Sequence, residues 1–101
     1  MSDLVRFQAR FTAELVYWRG PSPFHFVPVP PAQAAEIGFI APMVTYGWGV
    51  IPVRVRIGET EFTTSLFPKD GGYLVPIKDK VRKAEDLAVG DAVTLSLSIG
   101  R

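Results

Sequence analysis

The chain has 101 residues, 48% of them hydrophobic, with 11 Lys and Arg against 10 Asp and Glu for a formal net charge of +1. This length makes one domain with a real core, and so even a charge balance gives no bias toward nucleic acid, anionic lipid or basic partners. The lack of cysteine excludes disulfides and thiolate chemistry, and a lone histidine excludes a Cys/His zinc site.

Mean hydropathy of +0.19 suits a folded globule. No run approaches the roughly 20 apolar residues of a membrane span, and the charged start through Arg6 and Arg10 does not read as a signal peptide. The expectation is a soluble, cytoplasmic protein without membrane contact or cofactor, a monomer or weak dimer.

In chain order, Val5 to Tyr17 alternates apolar and polar and predicts one long strand with Tyr17 on its apolar face. Gly20-Pro21-Ser22-Pro23 breaks it, and Phe24 to Val29 resumes extended structure. Pro30-Pro31 opens a short helix over Ala32 to Ile37, and Gly38 to Gly49 reads as irregular. Val50 to Ile57 alternates again, with Arg54 and Arg56 outward, and Gly58-Glu59 closes a hairpin into a strand from Thr60. Lys69-Asp70-Gly71-Gly72 is turn chemistry before a strand over Tyr73 to Ile77. Lys78 to Asp86 is a short amphipathic helix with Asp79 as N-cap. Ala92 to Ile99 is the clearest strand, with Val93, Leu95, Leu97 and Ile99 on one face.

The halves resemble one another. Phe11 to Leu15 matches Phe62 to Leu66, Val27-Pro28-Val29 matches Val75-Pro76-Ile77, and Val50 to Gly58 matches Ala92 to Gly100. Three matches in one order predict an internal ββαβ duplication, about residues 5–58 and 60–100. Neither half alone can bury two faces, so the expected fold is mainly β: a six-stranded, pseudo-two-fold barrel of two ββαβ repeats with two short helices.

Thr64-Ser65-Leu66-Phe67-Pro68, Gly72-Tyr73-Leu74-Val75-Pro76, Val81-Arg82-Lys83-Ala84 and Gly90-Asp91-Ala92-Val93 resemble the DUF1905 family, small bacterial and archaeal domains of unknown function. The resemblance covers most of the chain and is strongest from Val53 to Leu97. It implies the double-split β-barrel of the AbrB and MazE transition-state regulators, here completed within one chain, and it implies no activity.

The candidate chemistry is sparse. Ser22 lies near His25 without a nucleophile elbow, the acidic pairs Glu59/Glu61 and Glu85/Asp86 suit a solvated surface, and no glycine cluster has phosphate-loop spacing. Trp18, Tyr46 and Trp48, with Arg19 and His25, form the candidate ligand-binding set, because aromatic side chains outside a regular core line pockets or partner surfaces. Arg54, Arg56, Lys78, Lys80, Arg82 and Lys83 form a candidate phosphate-binding set for nucleic acid. Against it, Asp79–Lys83 and Arg82–Asp86 ion pairs would neutralise the second helix, and the first helix carries no matching charges. The sequence therefore favours a non-enzymatic module for a small molecule or protein, with an AbrB-like nucleic-acid binder as the alternative and a small enzyme third.

Overall fold

Strict alternation in Ala92 to Ile99 produces a strand whose four aliphatic side chains are buried on one face. In the computed structural model, which describes residues 6–19, 24–45 and 49–100, the elements run β1 (Phe7–Glu14), β2 (Val16–Trp18), β3 (Phe24–Pro28), α1 (Pro31–Val44), β4 (Ile51–Ile57), β5 (Thr60–Lys69), β6 (Gly72–Ile77), α2 (Asp79–Ala84) and β7 (Ala92–Ile99). The strands form one antiparallel sheet in the order β1-β7-β4-β5-β6-β3-β2, curled into a half-barrel.

There are seven strands among the described residues rather than the expected six, because the long first strand breaks at Leu15. Up to Glu14 the chain pairs with β7, and from Val16 it pairs with β3. At the break the Leu15 amide donates to the Asp91 carbonyl and its carbonyl accepts from the Gly90 amide, each at 2.9 Å. The fully buried Leu15 side chain is thereby fixed in the core, and the phase shift leaves Tyr17 exposed instead of inward. β5 makes the same change of partner without breaking: Leu66, also fully buried, is the last residue paired with β4, and Phe67 is the first paired with β6.

The turns follow their residues. Asp70 and Gly71 both take left-handed backbone, φ 52° and 81°, between the paired Lys69 and Gly72, as a two-residue Asp-Gly hairpin requires. Gly58, at φ 57°, turns β4 into β5.

Both helices depart from expectation. α1 spans 14 residues instead of stopping at Ile37, running through Gly38 and Pro42. Its inward stripe of Ala34, Ile37, Ile40, Ala41 and Val44 packs on the core, and that burial outweighs the poor helix propensity of Gly and the donor missing at Pro. α2 spans six residues, with Lys78 as N-cap and Asp79 in the first turn rather than at the cap. The two expected i,i+4 ion pairs are absent from the ion pairs among the described residues; Arg82 reaches back to Asp79 at i,i+3 instead. Asp86, at φ 54°, caps α2: the Leu87 amide donates to the Arg82 carbonyl at 2.9 Å and the Asp86 amide to Lys83 at 3.3 Å, a Schellman closure. Glu85 accepts a 2.5 Å hydrogen bond from the Thr60 hydroxyl, tying the helix end to the β4–β5 hairpin.

The core is wholly apolar among the described residues, drawn from all strands but β2 and from both helices. No helix of the described residues is long and apolar enough to cross a membrane.

Candidate functional site

The register across three strands builds a polar cleft at one end of the half-barrel. Tyr17 of β2 stands opposite His25 of β3, and His25 stands opposite Ile77, the last residue of β6. The chain then turns at Lys78 into α2, which brings Asp79 and Arg82 over the same spot. The Asp79 Oδ1 lies 4.0 Å from His25 Nδ1 and accepts a 3.1 Å hydrogen bond from the Arg82 guanidinium. The Tyr17 ring packs on the imidazole at 4.8 Å between centroids, tilted 55°. These groups, with Phe24 and Lys78 at the rim, enclose a cleft of about 400 Å³.

Partial burial, then the Arg82 charge, holds the His25 pKa below its ordinary 6.5; Asp79 opposes this without reversing it. The imidazole is therefore neutral near pH 7, able to donate from one nitrogen and accept at the other. The hydrogen bond and charge of Arg82 hold the Asp79 carboxyl below its ordinary range. Arg82 is thus committed to Asp79 through one terminal nitrogen, while its Nε is buried without any hydrogen-bond partner.

The sequence-derived candidates separate. His25 is in the cleft, but Trp18 pairs with Phe24, one step along the ribbon from the Tyr17–His25 pair, so alternation turns it to the opposite face. There its ring meets Phe24 edge-on at 5.7 Å and Lys69 Nζ lies 5.6 Å from its centroid. Arg19 is exposed just past β2. Tyr46 and Trp48 lie outside the described residues. The basic candidates divide as well: Lys78 and Arg82 line the cleft, Lys80 and Lys83 are exposed on α2, and Arg54 and Arg56 lie on the outer face of β4 in a depression that shares no residue with the cleft.

Two polar cleft residues, Tyr17 and Asp79, were not among the sequence candidates. Tyr17 falls in the apolar phase of a continuous strand, and only the break at Leu15 frees it. Asp79 reads as a helix cap; its proximity to His25 follows from the β3–β6 register, which local sequence does not encode.

Fold and site together define a small, mainly β domain with a polar–aromatic cleft at one end of a curled sheet. Residues 11–97 match the family described as Domain of unknown function (DUF1905), and the chain belongs to that family. Among curated proteins none matches it.

Proposed function

We propose that this domain is a non-enzymatic binding module that holds a small organic anion in the cleft between β2, β3 and the start of α2. The observation that carries the reading is the Arg82 guanidinium in the cleft lining, which engages Asp79 through one terminal nitrogen and lies beside the neutral His25. A carboxylate or phosphoryl oxygen would accept from the remaining guanidinium nitrogens, Lys78 would add charge, and the Tyr17 ring would cover a planar body. The volume falls in the range of small-molecule sites.

We read the half-barrel as an AbrB-like, pseudo-two-fold double-split barrel of duplicated ββαβ units, about residues 5–58 and 60–100. The registers support it. Val16↔Phe26, Tyr17↔His25 and Trp18↔Phe24 recur as Phe67↔Leu74, Pro68↔Tyr73 and Lys69↔Gly72, and Val27 pairs with its own counterpart Val75. On this reading the cleft has a counterpart at the other end, with Pro68 for Tyr17, Tyr73 for His25, Pro31 for Asp79 and Ala34 for Arg82. One end is plain packing and the other carries the polar constellation, which favours a role specific to that cleft. The nucleic-acid alternative has less support, because its six basic residues do not share a surface.

The test is thermal shift and calorimetry with benzoate and phenyl phosphate, on the parent chain and on Arg82→Gln and Arg82→Lys, with circular dichroism to confirm folding. A ligand of the folded state raises Tm by mass action. Binding that survives moderate salt and drops at least tenfold in a folded Arg82 variant supports the cleft; no shift, or equal binding by the variants, removes it.

A further inference from the structure

The depression on the outer face of the sheet, about 410 Å³, is independent of the cleft. Strand register sets its layout. Arg10 of β1 stands opposite Ser96 of β7, and Ser96 stands opposite Arg56 of β4. One step along, Gln8, Ser98 and Arg54 form a second row. The small, half-buried serines floor a shallow trough between exposed arginines. By strand geometry the α-carbons of Arg10 and Arg56 are about 10 Å apart and those of Arg54 and Arg56 about 7 Å apart, so the three long guanidinium arms can converge on one group.

None of the three arginines takes part in an ion pair among the described residues, even though Glu61 stands directly across from Arg56. The Arg56 Nε donates to the Gly58 carbonyl at 3.2 Å, which orients the side chain and leaves its terminal nitrogens free for another acceptor. Like charges gathered on one sheet face are unfavourable in isolation. Their convergence over hydroxyl groups is the arrangement that recognises a compact dianion, since guanidinium forks match phosphoryl oxygens two at a time.

We propose that this face binds a small phosphorylated polyol, with Arg10, Arg54 and Arg56 on the phosphoryl group and Gln8, Ser96 and Glu61 available to sugar-like hydroxyls. Three features favour this occupant over a nucleic-acid strand. The residues lining the trough include no aromatic ring on which bases would stack. Glu61 ends the basic row at β5, where a continuing polyanion would meet repulsion. A net charge of +1 gives no long-range field for a polyanion.

The experiment is a nitrogen-15 amide NMR titration of the full chain at low salt with glucose 6-phosphate, inorganic phosphate, glucose and a short DNA duplex as separate probes. Saturable shifts from glucose 6-phosphate centred on Arg10, Arg54 and Ser96, weaker with inorganic phosphate and absent with glucose, are expected. Arg10→Gln and Arg54→Gln should each weaken binding at least tenfold, and Arg54→Lys should also lose affinity because it keeps charge but not the fork. These positions are exposed, and the amide spectrum reports whether each variant is folded. Shifts that map to Tyr17, His25 and Arg82, equal affinity in folded arginine variants, response to DNA alone, or no response overturn the proposal. Benzoate binding through Arg82 is read by its own variants, and loss of binding at Arg10 and Arg54 leaves it untouched, so the two sites stand or fall separately.

Discussion

His25 shows how much one residue's environment matters here. It is the only histidine, and its side chain, 15% exposed, sits between a tyrosine ring and the Asp79–Arg82 pair. Because burial and Arg82 lower its pKa in the fold, the unfolded chain takes up a proton first as pH drops. Stability is therefore complete above the unfolded value of about 6.5 and is lost as pH falls from there toward the folded pKa. Urea denaturation between about pH 8 and pH 5 should show stability declining on acidification, with a shallower decline in His25→Gln; an unchanged slope would remove His25 as its source. Asp79 has the same sign lower down, its stabilisation lost only as pH falls below the ordinary carboxylate range. That His25 merited attention was legible in the sequence. Its partners were not, because Tyr17 comes from β2 and Asp79 and Arg82 from α2, elements brought to β3 by strand pairing.

At the scale of elements, α1 is the clearest case of packing overruling local preference. Gly38 and Pro42 argue for an early stop, yet Ile37 is fully buried and Ala41 and Val44 continue its stripe against the core. Gly38 itself faces open space, and a methyl group there would meet nothing within 4 Å. Gly38→Ala should therefore stabilise the protein by about 0.5–1 kcal/mol, since it restricts the unfolded backbone at no steric cost. Chemical denaturation would read this directly, and a destabilised variant would mean that the helix does not persist through position 38 in solution. Local sequence marked only the start of this helix and an irregular stretch from Gly38, because local pattern cannot set the strength of burial against a glycine and a proline. The strands were easier. β4 and β7 alternate without exception, and a period of two on a one-sided sheet leaves a single way to bury the apolar set.

At the scale of the whole molecule, the strand pairings interlock the two halves. β1–β7, β3–β6, β4–β5 and β4–β7 all join residues before Gly58 to residues after it, leaving only β2–β3 and β5–β6 within a half. Fragments 1–58 and 59–101 should each be unfolded by circular dichroism when made alone, and the intact chain should unfold in one cooperative step. A folded fragment would show that the cross-half pairings are dispensable. The sequence by itself determined where most of the extended segments and the Asp-Gly turn lie, and the family, because period-two alternation, turn residues and short motifs are local properties of the chain. Only the tertiary structure decided where the first strand breaks, how far α1 runs, that His25 meets Asp79 and Arg82, and that Arg10 joins Arg54 and Arg56. Each of those depends on register between segments distant in sequence, and register is fixed by burying all the apolar faces at once, which no single segment encodes.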